Sequence, residues 1–145
     1  MNDQVLTLKQ IRIDGTATTK LEAMREAHEI LVAAGSVTAA YLPAMLKREE
    51  SVSTYMGNFL AIPHGTNESK DAILASALSF VRYTDAIDWD GNPVHFVVGI
   101  AGIGNEHLDI LSKIAIVFSD DEEVAALQAA TSAEEILDIL SEVNS

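Results

Sequence analysis

Cysteine is absent from this 145-residue chain, and long apolar runs are absent as well. The lack of cysteine excludes disulfides, thiolate metal sites and a cysteine nucleophile, and it is typical of a protein of the reducing cytoplasm. No apolar run approaches the roughly 20 residues that cross a bilayer. The opening residues, Met1 to Gln4, lack the basic and apolar regions of a signal peptide. We therefore predict a cytoplasmic protein that is not inserted in a membrane.

Basic residues are scarce, since nine Lys and Arg stand against 22 Asp and Glu and give a formal net charge of −13. Phosphate backbones and anionic lipid surfaces repel such a chain, because both attract proteins mainly through Lys and Arg. Nucleic acid is therefore not an expected partner. The acidic charge has two interpretations: it keeps the protein soluble, or it steers a partner that presents a basic or apolar face.

No repeat, low-complexity tract or flexible linker interrupts the chain, so we predict a single domain over residues 1–145. Capping boxes at Thr19 and Ser132 mark the starts of two helices. The β-branched run 94–100 is typical of a central strand, and Asp90 to Pro93 predict a turn before it. Strands are expected at 59–62, 78–83 and 94–100, with an edge strand or extended segment at 8–13. Helices are expected at 20–35, from 38 to an end between 47 and 50, and at 67–74, 106–118, 121–130 and 132–143. This mixture predicts an α/β sandwich, a small mixed β-sheet covered by helices.

Pro43 conflicts with a second helix that begins at Thr38. Proline beyond the first helical turn removes a hydrogen bond and crowds the preceding turn. Either the helix begins later than Thr38 or it is kinked at Pro43, and both alternatives fit the sequence.

Two of the four histidines stand where a site is expected. His64 follows a predicted strand and lies between Pro63 and Gly65, a tight turn of the kind that often carries function. His107 follows the strand 94–100 and a glycine-containing loop, at the predicted N-terminus of a helix. Helix N-termini favour anions, so a ring there can donate to a phosphoryl oxygen. The alternative for His64 is a turn histidine without a role, and the alternative for His107 is a surface histidine in the first turn of the helix.

The other two histidines are predicted to be structural. His95 stands inside an apolar strand, where a hydrogen-bonded ring is the better interpretation. His28 lies on or beside the apolar stripe of the first helix.

Arg48 is the candidate cation of the site, because a guanidinium can clamp a phosphoryl group through parallel hydrogen bonds. Its neighbours Glu49 and Glu50 offer ordinary surface pairing instead. A metal held by His64, His107 and an acidic neighbour is a third alternative. Nucleotide-binding and hydrolase motifs are absent, and the fragment Gly102-x-Gly104 is too short to indicate one. We expect neither a cofactor nor a resident metal.

Two separated motifs give the chain a family resemblance. Glu49 followed by Gly-Asn-Phe-Leu-Ala-Ile-Pro-His-Gly (57–65) resembles the phosphorylation-site signature of enzyme IIA domains of the fructose–mannitol class, in the bacterial sugar phosphotransferase system. In that signature an acidic or amide residue precedes Gly-x-x-apolar-Ala-apolar-Pro-His-Gly. Asn105-Glu106-His107-Leu108 is similar to the family's downstream histidine motif. The likeness extends over nearly the whole chain, and residues 52–58 and 64–66 are most like the mannitol-specific branch.

The resemblance implies a phosphoryl relay. His64 would accept a phosphoryl group from the phosphohistidine of the carrier protein HPr and pass it to a cysteine of the cognate IIB domain. His107 would bind the phosphoryl oxygens or orient His64, and Arg48 would balance the charge. A fructose-specific IIA domain, or a nitrogen-regulatory IIA domain whose phosphorylation controls a target, remains the alternative.

Overall fold

Within residues 5–144, which this computed structural model describes without the side chains of residues 67–69, the chain forms a five-stranded mixed sheet. The strands are β1 (Ile11–Arg12), β2 (Tyr55–Gly57), β3 (Leu60–Ala61), β4 (Ala77–Trp89) and β5 (Asn92–Ala101). They lie in the order β1-β4-β5-β3-β2. β4 and β5 are antiparallel, whereas β1 runs parallel to β4 and β3 runs parallel to β5.

Helices cover both faces of the sheet. α1 (Lys20–Ala33) and α2 (Tyr41–Ser51) lie on one face, and α3 (Glu106–Phe118), α4 (Asp121–Ala129) and α5 (Ala133–Ile139) lie on the other. Short 3₁₀ turns occupy Leu8–Gln10, Asn67–Ala72 and Ser141–Asn144. Side chains of β5 alternate between the two apolar layers: Val97 packs with α1 and α2, whereas Phe96 and Val98 pack with α3 to α5. The predicted α/β sandwich is confirmed.

Local signals set the ends of α1. The Thr19 hydroxyl accepts from the Glu22 amide at 3.2 Å, as the capping box predicts. At the other end Gly35 has φ +76°, a left-handed conformation that glycine adopts without strain. The amide of Ser36 then donates to the Leu31 carbonyl at 3.0 Å, which closes the helix.

α2 begins later than Thr38, which decides between the two alternatives for Pro43. The helix starts at Tyr41, whose amide donates to the Thr38 carbonyl at 3.1 Å. Pro43 therefore stands within the first turn, where its missing amide removes no intrahelical hydrogen bond.

The prediction for the central hairpin was wrong at two places. β4 does not close at Thr84 but continues to Trp89, with a register shift between Arg82 and Ile87. Residues 84–86, of which Thr84 and Asp85 are polar, are exposed in that irregular stretch, so they do not interrupt the strand. Asp90 and Gly91 alone form the turn, both with positive φ, and residues 92–93 already belong to β5.

Three further elements differ from prediction. The helix expected at 67–74 is a 3₁₀ turn over Asn67–Ala72. β2 was not predicted and pairs antiparallel with β3. The last predicted helix, 132–143, ends at Ile139 and is followed by a 3₁₀ turn. That turn places Asn144 where its side-chain oxygen accepts from the amides of Val5 and Leu6, at 2.8 and 3.1 Å, and so ties the described ends of the chain together.

Candidate phosphotransfer site

His64 stands in a turn that backbone and side-chain hydrogen bonds fix against β5. It forms an isolated parallel bridge with Ile100, whose amide donates to the Pro63 carbonyl at 3.0 Å. The Tyr41 hydroxyl donates to the Ile100 carbonyl at 2.7 Å and accepts from the Gly65 amide at 2.8 Å. Both sides of the turn are therefore anchored to the sheet, one directly and one through the first residue of α2.

The ring of His64 has one nitrogen engaged by the backbone. Its Nδ1 lies 2.8 Å from the Ile62 carbonyl oxygen. A carbonyl can only accept, so the hydrogen bond assigns the proton to Nδ1 and leaves the lone pair on Nε2. Burial lowers the pKa of the half-buried ring, and the nearby Arg48 and His107 lower it further. The ring is therefore neutral at pH 7, with Nε2 as a nucleophilic nitrogen.

His107 is the second residue of α3, so its position is set by the loop that precedes the helix. A Cβ on Gly102 would overlap the backbone of His107, lying 2.6 Å from its Cα, so only glycine allows this approach. The Ile103 amide donates to the Ser76 hydroxyl at 2.9 Å, and that hydroxyl donates to the Glu106 carboxylate. These contacts hold the first turn of α3, and with it His107, against the start of β4.

Arg48 lies in the last turns of α2, and its local partner is not an acidic neighbour. Its Nη1 donates to the carbonyl oxygen of Val52 at 2.8 Å. Glu49 is buried on the other side of the helix, with 6% exposure. The surface pairing of Arg48 with Glu49 that the sequence offered is therefore not what the structure shows.

His64, His107 and Arg48, the three predicted site residues, line one cleft of about 320 Å³. Its full lining consists of Tyr41, Arg48, His64, Gly65, Thr66, Lys70, Ile73, Ile100, Gly102, Gly104 and His107. The sequence interpretation missed Tyr41, Lys70 and Gly102. Gly102 carried a weak signal in the Gly102-x-Gly104 fragment, whereas nothing in the sequence pointed to Tyr41.

The cleft is suited to an anion. Arg48 and Lys70 supply positive charge, and His107 adds a ring in the first turn of α3, where the positive end of the helix dipole favours negative charge. Among the side chains that the structure describes, no three His, Asp or Glu residues lie close enough to hold a metal ion. The metal alternative therefore lacks a ligand set there.

The two other histidines lie outside the cleft and are hydrogen-bonded, as predicted. His28 Nε2 is 3.2 Å from the Thr38 carbonyl, and His95 Nδ1 is 2.8 Å from the Tyr83 carbonyl. Asn58, which the signature places near the site, points away from it and donates to the Phe118 carbonyl at 2.5 Å.

A family described as "phosphoenolpyruvate-dependent sugar phosphotransferase system, EIIA 2" matches residues 4–143. The chain belongs to this family. As an EIIA component it is a phosphotransferase that takes part in the phosphoryl relay of that system. None of the helices within residues 5–144 is both long and apolar enough to span a membrane.

Individual relatives agree with the family. A mannitol-specific phosphotransferase enzyme IIA component from Halalkalibacterium halodurans is 47% identical over 144 residues, covering 99% of each chain. The IIA chain in a solved complex of IIA mannitol with phosphorylated IIB mannitol from Escherichia coli is 34% identical, with a TM-score of 0.88 and coverage of 94% of this chain and 97% of that one. The nitrogen-regulatory protein IIA-Ntr of Neisseria meningitidis is 30% identical, with a TM-score of 0.82 and coverage of 94% and 96%.

Proposed function

We propose that Nε2 of His64 accepts the phosphoryl group from phospho-HPr and passes it to a cysteine of the cognate IIB domain. The observation that carries this proposal is the hydrogen bond from Nδ1 to the Ile62 carbonyl, because it leaves Nε2 as the free nucleophile inside the cleft. The Nε2 lone pair attacks phosphorus while the phosphorus–nitrogen bond of the donor breaks, and the donor ring keeps that electron pair. The second transfer repeats the step, with the cysteine thiolate as the nucleophile and His64 as the leaving group.

Arg48 and His107 serve the charge that develops during this transfer. Phosphoryl transfer passes through a loose transition state in which negative charge spreads over three oxygens, so positioned cations and donors supply most of the catalysis. Both side chains line the same cleft as His64. Arg48 brings a planar donor that can clamp two oxygens, and His107 brings a ring donor at the N-terminus of α3.

An intact-mass measurement tests the assignment of His64. The protein is incubated with phosphoenolpyruvate, enzyme I and HPr, and the same is done for His64→Gln and for His95→Gln as the matched histidine control. We expect one added phosphoryl group on the wild type and on His95→Gln, and none on His64→Gln. A phosphoryl group that persists in His64→Gln would overturn the assignment.

Mannitol is the sugar that we propose for the relay. The support is the identity to relatives named as mannitol-specific IIA components, 47% for one from Halalkalibacterium halodurans. A IIB partner is supported by the complex of the Escherichia coli IIA protein with phosphorylated IIB. We propose that the protein acts in the cytoplasm, the compartment that its lack of cysteine favours.

A regulatory module is the second candidate, favoured by the similarity to the nitrogen-regulatory IIA protein. Complementation of a strain that lacks its mannitol IIA component separates the two candidates. We expect the wild-type gene to restore growth on mannitol and the His64→Gln gene to fail. Failure of the wild type, with the protein expressed and phosphorylated, would favour the regulatory function or a different sugar.

A further inference from the structure

Glu49 is a buried carboxylate that does not belong to the lining of the cleft. Its Oε1 accepts from the Thr54 hydroxyl at 2.5 Å, and its Oε2 accepts from the Thr54 amide at 3.0 Å. Oε2 also accepts from the Trp89 indole at 3.1 Å and pairs with the Lys20 ammonium at 3.1 Å. These bonds to the charged form lower the pKa of Glu49 against its burial, so the carboxylate is ionised at neutral pH.

Thr54 connects this carboxylate to the ring of His64 through the backbone. The Thr54 carbonyl accepts from the Ile62 amide at 3.1 Å. The Ile62 carbonyl, in turn, accepts from Nδ1 of His64 at 2.8 Å. A series of hydrogen bonds that passes through the backbone of Thr54 and of Ile62 therefore runs from Glu49 to the nitrogen whose proton sets the tautomer of His64.

The same segment also holds Arg48. Val52, two residues before Thr54, accepts from Arg48 Nη1 through its carbonyl at 2.8 Å. Glu49 and Arg48 are consecutive on α2, so one side chain points into the core and the other into the cleft. The bidentate contact of Glu49 with Thr54 therefore fixes segment 52–54, which bonds to Arg48 directly and to His64 only through Ile62.

We propose that Glu49 is a positioning residue of the phosphotransfer site, which sets the tautomer of His64 and the placement of Arg48 through segment 52–54. The effect on transfer rate rests on the proposed function of His64. The effect on the ring of His64 does not, because it is a property of the unphosphorylated protein.

Glu26 provides a matched control inside the same chain. It is equally buried, with 4% exposure, and accepts from the Tyr83 hydroxyl at 2.7 Å and from Arg12 at 2.6 Å. Amides of Thr16 and Ala17 also donate to it, each at 3.3 Å. None of these four partners lines the cleft. Glu26→Gln therefore disturbs a comparable buried network without touching segment 52–54.

The test combines ¹⁵N spectra of the histidine rings with phosphoryl-transfer kinetics from phospho-HPr. In the wild type we expect a single His64 tautomer, with the proton on Nδ1. In Glu49→Gln and Thr54→Val we expect a mixture of tautomers and a kcat lower by about tenfold or more, with KM for the donor unchanged. Glu26→Gln should lower thermal stability while leaving the His64 spectrum and kcat as in the wild type. Thr54→Ser keeps the hydroxyl, so its His64 spectrum and kcat should be those of the wild type.

Three outcomes overturn the proposal. The first is an unchanged His64 spectrum and kcat in a folded Glu49→Gln or Thr54→Val variant. The second is an equal loss in Glu26→Gln, which would assign the effect to general destabilisation. The third is a Thr54→Ser variant that behaves like Thr54→Val. If Glu49→Gln does not fold, Thr54→Val decides. If wild-type His64 accepts no phosphoryl group, the proposed function fails, whereas the ring spectra still decide the role of Glu49.

Discussion

The side chain of His64 is held at a single nitrogen, and the turn that carries it is held on both sides. Ile62 engages Nδ1, while Tyr41 bridges the Ile100 carbonyl and the Gly65 amide. The carbonyls of Ile62 and Ile100 can only accept, and the amide of Gly65 can only donate. These contacts therefore fix the proton positions on the His64 ring and on the Tyr41 hydroxyl. A ring fixed in this way has little freedom left to lose when a ligand binds in the cleft.

At the same scale, His107→Ala is expected to keep His64 competent but to slow its phosphorylation. The variant removes a ring donor of the cleft, whereas the Nδ1 contact of His64 is untouched. Loss of one positioned donor in a transition state typically costs about 10²-fold in rate. Rapid-quench measurement of phosphoryl transfer from phospho-HPr checks this expectation.

His95→Ala is the control for that experiment. His95 lies five residues before Ile100 on β5, about 16 Å along the strand from the turn of His64. It should transfer at the wild-type rate. If His107→Ala also transfers at that rate, His107 has no part in the site.

At the scale of elements, α2 carries three separate parts of the site. Tyr41 at its start anchors the turn of His64, and Arg48 near its end lines the cleft. Glu49, the next residue, holds the segment that follows the helix. α3 carries the opposing side through His107, and Gly102 sets how closely that helix approaches. The site is thus the meeting point of two helix ends from opposite faces of the sheet and one strand end.

Elements with strong local signals could be predicted from the sequence. α3 was expected at 106–118 and has those bounds, because its apolar period and the glycine loop before it mark both its face and its start. The Thr19 and Ser132 caps form as predicted. His64 could be selected as the candidate from its family signature, and the structure places it in one cleft with His107 and Arg48.

Elements that depend on distant partners could not be predicted. β2 has three residues, and only its pairing with β3 makes it a strand. The polar end of β4 is a strand because β5 pairs with it across the turn at Asp90. The tautomer of His64 and the contacts of Tyr41 could not be predicted either, because each depends on contacts made after the chain has folded.

At the scale of the whole molecule, the charge of the cleft opposes that of the surface. The chain has a net charge of −13, yet Arg48, Lys70 and two imidazoles line the same cleft. An acidic exterior favours a partner with a basic face, whereas the cations of the cleft favour an anionic group inside it. The two interpretations of the acidic composition are thus compatible, since solubility and steering act through the same residues.

The buried ionisable groups predict how stability depends on pH. Burial lowers the pKa of His64 below its ordinary value of 6.5, so below that pH the unfolded state binds more protons and stability falls. Despite burial, hydrogen bonds lower the pKa values of Glu26 and Glu49 below 4.5, so their contribution is lost as the pH falls through those values. Burial raises the pKa of Tyr41 and Tyr83 above 10, so the unfolded state ionises first and stability falls again above that pH.

We expect urea midpoints to be flat between about pH 6.5 and 10 and to fall on both sides. His64→Gln should remove the first step below pH 6.5 and leave the steeper loss near pH 4 in place. A midpoint that rises as the pH drops from 6.5 to 5 would contradict the expected fall in stability. It would mean that relief of repulsion among acidic side chains stabilises the fold by more than the protonation of His64 destabilises it.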